Sequence, residues 1–128
     1  MLVHEAVVYR ICPEAPTKRV VVARLHTGKQ LPYFHSWGLS ARHAILPLQH
    51  ITFDMIKLMA SGSVRDAFMP YDVGKPTKVA LLPLDGSGDV ITFELEGDVY
   101  FVHAINGFEN ATSVVYDATA YTVDFFTD

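Results

Sequence analysis

The feature that most constrains the fold is a succession of short apolar, β-branched runs separated by turn-forming residues, with little sustained helical periodicity. The clearest case is the pair of runs at 78–84 and 90–95. The segment 85–89 between them contains two glycines, which can adopt the positive φ angles that a tight turn needs. We therefore predict an all-β fold of antiparallel strand pairs, with this pair as a hairpin.

The same pattern predicts the other strands within a single domain over 1–128, because no linker or low-complexity run divides the chain. The stretch 51–59 begins with strand-like alternation and continues with the spacing of one helical face, so we predict a strand followed by a short helical turn. A long connection then runs through 70–76. The other predicted strands are 6–11, 19–25, 33–39, 43–49, 100–105 and 113–121, with a proline-containing connection at 12–17 and a further connection at 106–110.

Composition bears on the partners and on the cellular location of the chain. The chain of 128 residues is 50% hydrophobic and carries a net charge of −4 without a basic block, which argues against nucleic acid as a partner. A single cysteine, Cys12, and an amino terminus unlike a signal peptide lead us to expect a reducing, cytoplasmic location. No apolar run is long enough to span a bilayer, although the chain could lie on one.

Two histidines stand in apolar segments that are far apart in the sequence. His35 lies within 34–38 and His103 within 101–106. Neutral imidazoles on separate strands can hold a redox-active metal and leave coordination positions open. The alternative is that each histidine is a hydrogen-bonded core residue, which is the commoner role of a lone histidine.

Motifs of several other chemistries are absent from the sequence. It has no HExxH, no glycine-rich phosphate loop and no GxSxG. Ser36 and His35 are adjacent, and in a strand adjacent side chains point to opposite faces. We therefore do not expect a serine hydrolase.

The two histidine segments also carry a family resemblance. The first, 32–40, reads PYFHSWGLS and is followed by the apolar run HAILPLQ at 43–49. The second, 100–109, reads YFVHAINGFE. In this order they resemble the segments HSFGLT and F-H-x-x-N-A-[YFW]-E of the carotenoid cleavage oxygenase family, and the resemblance covers nearly all of the chain.

The resemblance implies a fold and an activity. Family members are seven-bladed β-propellers in which four histidines hold a non-haem Fe(II), and they cleave a carbon–carbon double bond of a carotenoid or apocarotenoid with O₂. By resemblance, His35 and His103 are two of these metal ligands and catalytic residues. Phe34, Trp37 and Phe101 would contact the apolar polyene.

The resemblance also implies that this is a partial chain. Its length corresponds to about two propeller blades of roughly 40 to 50 residues each. The other two ligand histidines of the family, and the glutamates that bond the ligands, match no segment here. The remaining histidines match no ligand motif of the family; they are His4, His26, His43 and His50.

A membrane contact is predicted for the region after the first histidine segment. In the family, the corresponding region contributes an apolar patch that enters a membrane surface. A short helix with Ile56, Leu58 and Met59 exposed beside Lys57 could make the same peripheral contact.

Two alternatives to an oxygenase remain open at this point. The chain could be a catalytically inactive, metal-free all-β domain that binds an apolar ligand or a protein partner and keeps both histidines as core residues. It could also be a structural piece that self-associates through open sheet edges, which invite pairing with other strands.

Overall fold

Antiparallel strands make up most of the computed structural model, which describes residues 4–28 and 30–122; residues 1–3, 29 and 123–128 lie outside this part. The prediction of an all-β fold of antiparallel pairs is confirmed. The strands of the described residues form four small sheets, and none of these sheets closes on itself. The elements are β1 (His4–Cys12), β2 (Ala15–Gly28), β3 (Gly38–Leu39), β4 (His43–Leu48), β5 (Ile51–Phe53), α1 (Met55–Ser61), α2 (Val64–Ala67), β6 (Phe68–Pro70), β7 (Lys78–Pro83), β8 (Ile91–Glu94), β9 (Val99–Glu109) and β10 (Val114–Thr122).

A four-stranded sheet in the order β3-β4-β7-β8 forms the centre of the molecule. The hairpin β1–β2 packs on one of its faces, and β10 of the hairpin β9–β10 packs on the other. Because both faces are covered, β4 and β7 are continuous apolar runs rather than alternating ones. The first face contributes Ala44, Leu46, Ala80 and Leu82 to the core, and the second contributes Ile45, Val79 and Leu81.

The predicted hairpin between β7 and β8 is confirmed. Gly86 and Gly88 both have positive φ, at 74° and 85°. The side chain of Asp85 accepts hydrogen bonds from the backbone N–H (2.8 Å) and hydroxyl (2.7 Å) of Ser87, which close the turn.

The prediction for 51–59 is also confirmed, since β5 leads directly into α1. Asp54 is the N-cap and accepts hydrogen bonds from the backbone N–H of Ile56 (2.9 Å) and Lys57 (3.1 Å). Gly62 ends the helix with a left-handed φ of 68°. No helix within 4–28 and 30–122 has the length and apolar character needed to cross a membrane.

The predicted strand at 33–39 is wrong except at its end, where Gly38–Leu39 pairs with β4. The backbone of Tyr33 bonds outside any strand ladder, because its N–H donates to the carbonyl of Ile51 (2.6 Å) and its carbonyl accepts from the side chain of Gln49 (2.8 Å). Residues 33–37 are therefore irregular, and His35 lies in a loop rather than in a strand.

Two predicted connections are too long. The ladder of β1 and β2 continues to the pair Cys12 and Ala15, so Pro13 and Glu14 alone form the turn. Pro16 is accommodated because each strand of a two-stranded ribbon has a free edge. Likewise β9 extends to Glu109, and the turn after it is closed by the side chain of Asn110.

Candidate functional site

The structure brings the two motif histidines together. The rings of His35 and His103 meet edge to face, with centroids 5.1 Å apart and planes at 88°. His35 comes from the irregular segment before β3 and His103 from β9. Both histidines are exposed on the surface of the described residues.

Tyr33 orients the ring of His35. Its hydroxyl lies 3.2 Å from Nδ1 of His35. The Tyr33 ring is itself held in an aromatic cluster, with its centroid 5.0 Å from that of Phe68 and 6.0 Å from that of Phe53. Because Nδ1 is hydrogen-bonded to the hydroxyl, Nε2 is the nitrogen of His35 that is available to bind a metal ion.

The position of His103 is set by its own hairpin. Its backbone N–H donates to Oγ1 of Thr119 on β10 (3.1 Å), beside a register irregularity at Ala118. The next residue, Ala104, donates its N–H to Oγ of Ser36 (3.0 Å). Ser36 therefore ties the His35 segment to the strand that carries His103.

Gln49 is a residue of the site that sequence reasoning missed. It is 1% exposed, and its side chain joins Tyr33 to Phe101, accepting from the Phe101 N–H at 2.6 Å. The sequence signal that could have identified Gln49 is its position at the end of the apolar run 43–48. A polar side chain that is buried there must find hydrogen-bond partners.

The two imidazoles are suitable donors for a divalent transition metal, and their rings are close enough to belong to one site. No third histidine, cysteine or carboxylate joins them within residues 4–28 and 30–122. The described residues therefore offer two neighbouring imidazoles, which fit part of a metal site, and no larger metal-binding group.

Comparison with known families agrees with the motif segments. The family model described as retinal pigment epithelial membrane protein matches residues 3–128. The chain belongs to this family. Among curated proteins, none matches the chain. Membership in the retinal pigment epithelial membrane protein family, a carotenoid oxygenase family, confirms the resemblance seen in the sequence and is consistent with a partial chain.

The three aromatic residues expected to contact a polyene in this family do not share one cavity. Phe34 and Trp37 line an open cavity of about 740 Å³ beside β1. Phe101 lines a different one, of about 640 Å³, where its ring centroid lies 5.7 Å from that of Tyr116. His35 and His103 line neither cavity. Substrate contact by these residues stays a prediction.

A charged cluster lies in the second cavity. The Glu109 side chain is 2% exposed and accepts hydrogen bonds from Nδ1 of His43 (2.7 Å) and Nε of Arg42 (3.2 Å). Burial alone would raise the pKa of Glu109, but these hydrogen bonds and the Arg42 charge outweigh it and hold the pKa below its ordinary value. The sequence had indicated no partner for His43.

The helix α1 carries the predicted membrane patch. Ile56 is 80% exposed and Met59 83% exposed, whereas Leu58 is half-buried. The prediction that Leu58 is exposed is thus wrong. Residues two apart in a helix lie about 200° apart around its axis, which turns Leu58 away from Ile56.

Proposed function

We propose that this chain supplies two imidazole ligands of a non-haem Fe(II) centre, in an oxygenase that cleaves a carbon–carbon double bond of a carotenoid or apocarotenoid. The observation that carries the proposal is the contact between His35 and His103, which are far apart in the sequence and belong to the two family segments. Their local patterns do not require them to meet, and two neighbouring imidazoles are suitable ligands for one metal ion.

The chain's own residues hold and orient the ligands. In the proposed site, Nδ1–H of His35 donates to the Tyr33 hydroxyl, which leaves the Nε2 lone pair as the ligand. Ser36 holds the His35 segment against β9. Iron, when bound, supplies the redox chemistry through which O₂ and the polyene double bond become two carbonyl products. Because the described residues supply two ligands, the proposal assigns the other ligands to further segments or to another chain.

The first experiment measures Fe(II) binding to the purified chain. We expect wild type to bind Fe(II), and His35→Ala and His103→Ala each to lose most of this affinity. His26→Ala is the matched control, because His26 is an exposed histidine on β2 whose nearest carboxylate is that of Glu5. Equal binding by wild type and both site variants, all folded, would contradict the proposal and favour a metal-free domain.

The apolar substrate is proposed to bind beside Phe34 and Trp37. Trp37 is the single tryptophan of the chain and is 42% exposed in the cavity beside β1. An apocarotenal that binds there should quench Trp37 fluorescence, and Phe34→Ala should weaken this quenching. If Phe101→Ala alone weakens it, the substrate lies in the second cavity instead.

We also propose that α1 makes a peripheral membrane contact in a cytoplasmic protein. Ile56 and Met59 present exposed apolar surface beside Lys57, which can pair with anionic headgroups. Flotation with anionic phosphatidylserine vesicles should decrease in Ile56→Asp with Met59→Asp. Ile91→Asp with Phe93→Asp, which changes two exposed apolar residues on β8, is the control. Flotation that is the same in all three proteins would refute the contact.

A further inference from the structure

We infer that Gln49 is a positioning residue, whose one buried side-chain amide sets the separation between His35 and His103. The inference rests on the proposed function for its purpose, since the two histidines need a fixed separation in order to share a metal. The side-chain hydrogen bonds of Gln49 go to backbone groups of Tyr33 and Phe101. It acts on the backbone of the two segments that carry the histidines.

The geometry of Gln49 is defined by its partners. Its Nε2 donates to the carbonyl of Tyr33 at 2.8 Å, and its Oε1 accepts from the N–H of Phe101 at 2.6 Å. A backbone carbonyl can only accept and a backbone N–H can only donate, so the amide has one orientation that satisfies both. Tyr33 and Phe101 each stand two residues before a histidine, His35 and His103.

A second bond ties the same two segments on the other side of the histidines. The N–H of Ala104 donates to Oγ of Ser36 (3.0 Å), one residue after each histidine. The Gln49 amide and the Ser36 hydroxyl therefore bracket the pair along both segments. The backbone of Gln49 is also held in place, because its carbonyl accepts a hydrogen bond from the hydroxyl of Tyr71 (3.0 Å).

The two segments depend on Gln49 to different degrees. His103 lies in β9, which is paired with β10 along most of its length. Residues 33–37 have no strand partner, so side-chain bonds replace the ladder there. Loss of the Gln49 amide leaves the Tyr33 carbonyl without this bond and is expected to move His35 rather than His103.

The test compares Gln49→Leu with Thr77→Val. Thr77 is also fully buried and bonds the backbone of β9, since its hydroxyl donates to the Val99 carbonyl (2.8 Å) and accepts from the Val99 N–H (2.9 Å). It does not touch the His35 segment through these bonds. Both variants lose stability, so a merely structural role for Gln49 predicts similar behaviour.

Two readouts are taken for each protein. The first is the nuclear Overhauser effect between the ring protons of His35 and His103 in the metal-free chain. The second is the Kd for Fe(II). Gln49→Leu is expected to lose the ring contact and to bind Fe(II) about 10-fold more weakly. Thr77→Val is expected to keep both.

An unchanged ring contact in Gln49→Leu would overturn the inference, and so would an equal loss in both variants. Should Gln49→Leu fail to fold, Gln49→Met provides the same test, because its unbranched side chain has nearly the length of glutamine and cannot donate to Tyr33. The ring contact is measured without metal, so a wild type that shows the contact and binds no Fe(II) refutes the proposed function and leaves the role of Gln49 in the pairing tested on its own.

Discussion

Tyr33 is held at its ring and at both backbone groups, and its hydroxyl is left for His35. The ring packs against Phe68 and Phe53, the N–H bonds Ile51, and the carbonyl bonds Gln49. Such a fixed hydroxyl can set the orientation and tautomer of an imidazole. The family's segment around its histidine would not by itself predict this role.

Tyr33→Phe removes the hydroxyl and keeps the ring, so it tests the hydrogen bond to His35 apart from the ring packing. The ring stays in its cluster, so we expect the midpoint of thermal unfolding to change little. The Fe(II) Kd should rise about 10-fold, because His35 loses its orienting partner. Tyr9→Phe, which removes an exposed hydroxyl on β1, should change neither quantity. An unaltered Fe(II) Kd in Tyr33→Phe would show that the hydroxyl does not orient a ligand.

At the scale of elements, α1 depends on its caps rather than on burial. It has seven residues, none of them buried, and Asp54 caps its first turn. A helix this short is marginal without such support. Its exposed apolar side chains Ile56 and Met59 therefore share one helical face only while the caps hold the backbone.

Asp54→Ala should destabilise α1 by about 1 kcal/mol, because two backbone N–H groups lose their acceptor. Hydrogen exchange of residues 55–61 is the direct measurement and should become faster there. Asp89→Ala, a change in the exposed turn before β8, is the control. Exchange that accelerates equally in β4 would mean that the cap supports the whole fold rather than the helix.

At the scale of the molecule, Glu109 links the end of β9 to the start of β4 through Arg42 and His43. Its pKa is lowered in the folded chain, so folding favours the ionised carboxylate. The resulting stability is present above the ordinary glutamate pKa of about 4.3 and is lost as the pH falls through the folded value.

Glu109→Gln should therefore be less stable than wild type at pH 7, and the difference should shrink below about pH 4. Denaturant midpoints at several pH values measure it. Glu94→Gln, which changes a carboxylate in an exposed pair with Lys78, should show a much smaller effect. A difference between Glu109→Gln and wild type that does not depend on pH would argue against this linkage.

Open edges are a second property of the whole molecule. In the described residues β8 ends the central sheet and pairs only with β7. An unpaired edge invites another strand, so we expect the mass measured by sedimentation to rise with concentration. Thr92→Lys on β8 should reduce this rise, because a lysine disfavours edge pairing, and Thr112→Lys in an exposed turn should not. A constant monomer mass for wild type would exclude self-association through this edge.

The sequence by itself determined the features that local chemistry decides. The turn at 85–89 needs only glycines and an aspartate, and the helix after Asp54 needs only a cap and a helical spacing. The alternation of apolar runs and turns was enough for the all-β class. Segment resemblance, rather than spacing, singled out His35 and His103.

Only the tertiary structure decided how these pieces meet. Whether 33–37 is a strand depends on partners, and its backbone bonds Ile51 and Gln49 instead of a neighbouring strand. The bonds of Gln49 to Phe101 and of His43 to Glu109 join residues 52 and 66 positions apart. No local pattern records such a contact, because its free energy arises from burial of polar groups that the folded chain brings together.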